Sequence, residues 1–258
     1  MSKFLDKLQR VSRVSSGPIG FHASAAQSNS SGMLLVAGLS GSLVKETRIA
    51  ADASVDAALV LKEGVSVKAV KQMMEAVGGV PLGVLVKGMS ADEMGEFVGL
   101  GCDFVVFDIK SPSAVLHNEE AGRVLATEPS LDMGLLRAVN SLDVDGVLIH
   151  VGGEQSFVSV EQLLVCRRFV ELLEAPVMMA LPSSVTGAEL AGIWQAGVDG
   201  VVAPPSQSAE SLADLQEMIG KLPRGSRGRR AKLDVRLPHL GGGGDGGEDE
   251  EADDDEDI

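Results

Sequence analysis

The chain has no tyrosine and one tryptophan, and aromatic residues make up only 3% of its 258 positions. Any core it builds must therefore be aliphatic. Such a core suits parallel strands covered on both faces, which read as unbroken Val/Ile/Leu runs. Cysteine is nearly as scarce. Cys102 and Cys166 both fall in apolar stretches, where free, buried thiols are expected rather than a disulfide or a metal pair. No apolar window approaches the ~18 residues of a membrane-spanning helix. The charged Met1–Arg13 stretch lacks the apolar run of a signal peptide. A cytoplasmic location with no membrane contact is the default expectation.

What the chain has is repetition. Val55-Asp56-Ala57-Ala58-Leu59-Val60, Cys102-Asp103-Phe104-Val105-Val106-Phe107, Val144-Asp145-Gly146-Val147-Leu148-Ile149 and Val198-Asp199-Gly200-Val201-Val202-Ala203 each place an Asp before a β-branched, apolar run. The aspartates at 56, 103, 145 and 199 are separated by roughly the length of two βα units. That period, in a chain of this length, predicts a single (β/α)8 TIM barrel. Strands are expected at 33–39, 57–62, 81–87, 103–108, 122–127, 145–151, 176–181 and 199–204. Helices are expected at 45–53, 66–77, 90–100, 131–141, 159–174, 187–196 and 208–220, with a short or broken one at 112–119.

Local chemistry supports these boundaries. Ser66, Ser90, Ser130, Ser159 and Ser208 stand where a hydroxyl would cap the first free amides of a helix. Ser90 with Glu93, and Ser159 with Gln162, have capping-box spacing. Gly78, Gly101 and Gly197 stand where a left-handed residue ends a helix. The repeat aspartates Asp56, Asp103 and Asp145 are expected to order the helix-to-strand turns.

The barrel is expected over 33–223, preceded by an extension, 1–32. That extension carries an amphipathic helix over Ser2–Val14 and a small strand over Gly17–Ala26 that would close the barrel floor. Residues 224–258 hold a basic connector, a glycine linker and an acidic tail. Ten carboxylates from Asp245 onward carry most of the formal charge of −15. Without them the charge is only −5, so the barrel itself is mildly acidic. The tail has almost no apolar surface to bury and is expected to be disordered. Its charge disfavours nucleic acid as a partner.

In this architecture chemistry occurs at the carboxyl ends of the strands. Lys87, Asp108, Lys110, Glu128 and His150 fall at four successive strand ends, with Ser40, Ser42, Lys62, Glu63 and Thr127 at or beside others. Lys87 ends an apolar strand, where it can snorkel to solvent or point into the mouth, where desolvation or a neighbouring cation would lower its pKa and make it a nucleophile or base. Asp108 and Lys110 alternate and so share a face. Glu128 precedes Pro129, which holds it extended. His150 is followed by Gly152-Gly153, which would let a ligand approach the backbone. At least three of the five are expected to line one pocket, with the lysines holding or activating the substrate and Asp108, Glu128 and His150 moving protons. The four histidines show no metal-ligand spacing. A divalent ion held jointly by Asp108, Glu128 and His150 is the one metal arrangement to consider.

The segment Ala175–Ser206, above all Ala196-Gly197-Val198-Asp199-Gly200-Val201-Val202, resembles the closing segment of aldolase-type phosphate-binding and flavin-binding barrels. In those families the loops after the last two strands hold a phosphate. The resemblance implies the barrel fold and a phosphate cup. Here the cup's glycines are replaced by Leu181-Pro182-Ser183-Ser184 and Pro204-Pro205-Ser206. Proline donates no amide, so Ser183, Ser184, Ser206 and Ser208 are the remaining candidates to bind a phosphate or a phosphorylated cofactor, and binding is expected to be weak. Asp108-Ile109-Lys110 is similar to the opening of the Asp-x-Lys-x-x-Asp motif of orotidine-phosphate decarboxylase-like and hexulose-phosphate synthase-like barrels, with Ser113 where the second Asp stands.

These residues leave three functions open. One is a lyase, aldolase or isomerase acting on a small phosphorylated or carboxylated metabolite. Another is an FMN-dependent oxidoreductase. The last is a non-catalytic barrel that binds or scaffolds. Neither the cofactor nor the oligomeric state can be read from the residues.

Overall fold

A computed structural model describes residues 2–14, 32–41, 44–150 and 156–223. The expected strand at Gly17–Ala26, the basic connector, the glycine linker and the acidic tail lie outside them. Eight parallel strands close into a barrel in sequence order: β1 (Leu34–Leu39), β2 (Ala57–Val60), β3 (Leu82–Leu85), β4 (Phe104–Asp108), β5 (Gly122–Thr127), β6 (Gly146–Ile149), β7 (Val177–Ala180) and β8 (Gly200–Ala203). Closure is made by β1 against β8, with Leu34 opposite Gly200. Every expected strand is present; β5 has the expected bounds and the others are trimmed by one or two residues at one or both ends.

Helices α2 (Val44–Asp52), α3 (Val67–Val77), α4 (Ala91–Gly99), α5 (Met133–Ala138), α6 (Val160–Leu172), α7 (Gly187–Gln195) and α8 (Ala209–Gly220) follow β1, β2, β3, β5, β6, β7 and β8. After β4 there is only a 3₁₀ turn, Ser113–His117. Four of the five expected serine caps form: Ser66, Ser90, Ser159 and Ser208 each accept a first-turn amide. Ser130 does not. Asp132 caps α5 instead, its Oδ1 accepting from the amides of Gly134 at 2.7 Å and Leu135 at 3.3 Å. Gly78, Gly101 and Gly197 adopt positive φ as expected.

The pleat divides the core in two. One set of strand side chains packs outward against the helices. The other fills the barrel interior: Leu34, Val36, Ala57, Leu59, Phe104, Val106, Val124, Leu148, Met178 and Val202. The interior cluster also includes Phe4, Leu5, Leu8 and Val11 from α1 (Lys3–Val14). Their spacing makes one apolar stripe, and it plugs the barrel from below. Room for it comes from glycine. A methyl group at Gly122 would collide with Leu5, and one at Gly200 would press on Leu8. Among the described residues the floor is thus closed by α1.

The repeat aspartates anchor this arrangement. Asp56 accepts from the Leu35 amide at 2.9 Å, Asp145 from Arg123 at 2.9 Å, and Asp199 from Val177 at 3.0 Å. Each therefore ties the start of its own strand to the start of the preceding one. Asp103 breaks the pattern by capping α1. It accepts from the Ser2 hydroxyl at 2.6 Å and from the Lys3 and Phe4 amides at 2.8 and 3.0 Å. A carboxylate at a helix N-terminus satisfies free amides and opposes the helix dipole. Among the described residues no helix is long and apolar enough to cross a membrane.

Candidate active site

The pleat that sends Leu59, Val106, Val124 and Leu148 inward also decides which side chains meet at the strand ends. Two residues further on, the same face carries Leu61, Asp108, Ala126 and His150, and the connections after β2 and β5 carry Glu63 and Glu128. These side chains surround a cavity of about 560 Å³ at the carboxyl end of the barrel, on the β2–β6 side. Its floor is Leu61, Leu85, Val106, Ala126 and Leu148, and its rim is ionisable. Lys87, Asp108, Lys110, Glu128 and His150 all line it.

Glu63 and Asp132 line it as well. Glu63 was visible as a strand-end residue but not as a member of this group. It lies in the turn after β2, beyond the reach of strand alternation, so the path of that turn brings it in. Asp132 was hidden by the misplaced start of α5.

The rim groups differ in how they are held. Lys87 Nζ lies 3.0 Å from Glu63 Oε1. The hydrogen bond to Glu63, and then the charge of Glu63, raise the Lys87 pKa above its ordinary value. Burial opposes this, while Asp108 and Glu128 add smaller upward pushes. The expectation of a lowered lysine pKa is corrected here. Its neighbours are carboxylates rather than cations, and they keep it an ammonium.

Asp108 is half-buried and fixed. Its Oδ1 accepts from the Lys110 amide and the Ser111 hydroxyl, both at 3.0 Å. Its Oδ2 accepts no hydrogen bond from a described residue, so one oxygen of an oriented carboxylate is left for a ligand. Glu128 is exposed, with only a long contact of 3.4 Å from the Ser130 hydroxyl. The Lys110 ammonium makes no ion pair with a described residue. His150 is exposed, its backbone amide tied to the Thr127 carbonyl at 2.9 Å. Four carboxylates (Glu63, Asp108, Glu128, Asp132) thus share the cavity with two ammonium groups and one imidazole. Among the described residues no three His, Cys, Asp or Glu side chains converge closely enough to hold a metal ion, so Asp108, Glu128 and His150 do not form a divalent site.

The four serines considered for phosphate lie elsewhere. None lines this cavity. Ser184 donates to the Ser156 carbonyl at 2.8 Å, Ser206 donates to Glu46 at 3.1 Å, and Ser208 caps α8. Ser183 is exposed.

No family model matches the chain, and no curated protein sequence matches it. Solved structures do. Tryptophan synthase from Mycobacterium tuberculosis superposes with a TM-score of 0.57 at 16% identity, over 88% of this chain and 98% of that one. Thiamine phosphate pyrophosphorylase from Pyrococcus furiosus gives 0.54 at 12%, over 72% and 95%. FabK from Thermotoga maritima gives 0.52 at 15%, over 67% and 61%. Identities this low carry the architecture and no reaction: the chain is a (β/α)8 TIM barrel.

Proposed function

We propose that this barrel is a proton-transferring enzyme, of the lyase or isomerase class, acting on a small carboxylated metabolite at the β2–β6 mouth. The observation that carries the reading is the single cavity with an apolar floor and a rim of both charge signs. Ionisable groups gathered in a concave place are costly unless they pair or bind something. Lys110, the ammonium without a carboxylate partner, is assigned to the substrate carboxylate. Asp108, held in one orientation by two donors, is assigned as base. Glu128 and His150, from the neighbouring strand ends, are assigned to proton delivery.

A Schiff base on Lys87 is disfavoured, because its pairing with Glu63 favours the ammonium form, which is not a nucleophile. The flavin reading is also weakened. The loop after β8 presents its Ser206 hydroxyl to the Glu46 carboxylate, which leaves less for a flavin phosphate. Purified protein carrying flavin absorbance would restore it.

The test is proton exchange. The protein is incubated in D2O with a panel of small 2-oxo, hydroxy and unsaturated carboxylic acids, and deuterium uptake is followed by proton NMR. The expected result is uptake at a carbon next to the carboxylate or carbonyl in at least one acid. Asp108→Asn is expected to slow it by about 10²-fold or more, with an unchanged melting temperature. Lys110→Met is expected to raise KM more than it lowers kcat. If no acid exchanges and none shifts the melting temperature, the mouth is not an active site and the non-catalytic barrel is the better reading.

A further inference from the structure

On the β8–β1 side of the same rim, away from the cavity, a carboxylate is buried without a cation. Glu46, in the first turn of α2, is 8% exposed. Its Oε2 accepts from the Ser40 amide at 2.7 Å. Its Oε1 accepts from the Ser40 hydroxyl at 2.9 Å and the Ser206 hydroxyl at 3.1 Å. No described basic side chain pairs with it. Ser206 reaches it from the loop after β8 with φ of 64°, one of only two described non-glycine residues at positive φ. That conformation is costly for serine and persists only where surrounding contacts enforce it.

A buried anion satisfied by one backbone amide and two hydroxyls has the donor set of an anion-binding site. In barrels of this architecture, the loops following the last strands and an adjoining helix N-terminus are where a substrate phosphate is held. We propose that Glu46 is a tethered anion occupying the position beside the β8 loop where this fold would otherwise take a phosphate, and that it determines specificity by excluding phosphorylated ligands from the mouth. The physical reason is direct. The donors that would solvate a phosphate are already given to a carboxylate, and that carboxylate repels a second anion. The proposal does not depend on the reaction assigned to Asp108 and Lys110.

Glu46→Ala removes the tethered anion and leaves its donors and its space. Thermal unfolding and calorimetric titration with inorganic phosphate and with sodium formate, at constant ionic strength in chloride, compare it with the parent protein. The parent is expected to bind phosphate at about millimolar or weaker. Glu46→Ala is expected to melt lower in chloride, to be restored selectively by formate or phosphate, and to bind phosphate roughly tenfold or more tighter than the parent. Glu46→Gln, which keeps the space filled, is expected to show no rescue. Equal effects of phosphate on parent and Glu46→Ala would overturn the proposal, as would a loss of stability that no anion repairs. If Glu46→Ala does not fold in chloride, the readout is its refolding yield. Recovery in formate or phosphate supports the tethered anion, and equal failure in all three salts overturns it.

Discussion

Cys102 and Cys166 show how burial, rather than reactivity, explains a residue here. Both are enclosed. Desolvation pushes the Cys102 thiol from 9.0 up to about 12, with the nearby Asp103 charge adding to it. Desolvation likewise takes Cys166 to about 12. The folded protein therefore keeps two protons that the unfolded chain releases above pH 9. Stability from this source is complete below about pH 9 and declines as pH rises toward 12. Urea midpoints measured across that range are expected to fall with pH. The fall is expected to be shallower in a Cys102→Ala/Cys166→Ala variant, whatever constant loss the smaller side chains cause. Equal slopes for the two proteins would mean the thiols are not the groups titrating.

At the scale of elements, one residue of the repeat caps α1. Asp145 and Asp199 join neighbouring strands, Asp56 does so while also pairing with Lys7 of α1 at 2.8 Å, and Asp103 accepts from the first residues of that helix. Asp103→Ala strips three donors of their acceptor at the start of α1 and is expected to cost about 1–2 kcal/mol in chemical denaturation. Asp103→Asn, which still offers an amide oxygen to the helix terminus, is expected to recover most of that. The aspartates were legible from the sequence because they recur with the strands. The diversion of Asp103 was not, because nothing local to Cys102–Phe104 indicates that Ser2 and Phe4 come to meet it. The start of α5 was misplaced for a related reason. Ser130 and Asp132 both carry capping side chains, and only the backbone path after Pro129 decides which one faces the free amides.

For the whole molecule, composition separates the barrel from the segment at its carboxyl end. Residues 241–258 hold almost no apolar side chains and so contribute little to any core. Truncation after Leu240 is expected to leave the melting temperature within a few degrees of the full chain. A larger drop in differential scanning calorimetry would show that the acidic segment binds the barrel.

The sequence by itself determined the barrel, its strand order and the ends at which ionisable side chains gather. An aliphatic run flanked by turn residues makes a buried parallel strand in almost any context, and eight of them in alternation with helices have few other ways to close. It also placed Lys87, Asp108, Lys110, Glu128 and His150 at the rim, because strand ends can be counted. The tertiary structure decided what those residues face. Only the turns after β2 and β3 bring Glu63 to Lys87, and that pairing reverses the sign of the lysine's expected pKa shift. Only closure of β8 against β1 brings Ser206 to Glu46 across 160 residues of chain. Local pattern sets which element a residue joins, but charge acts through space, and the distances between charges exist only once the barrel has closed.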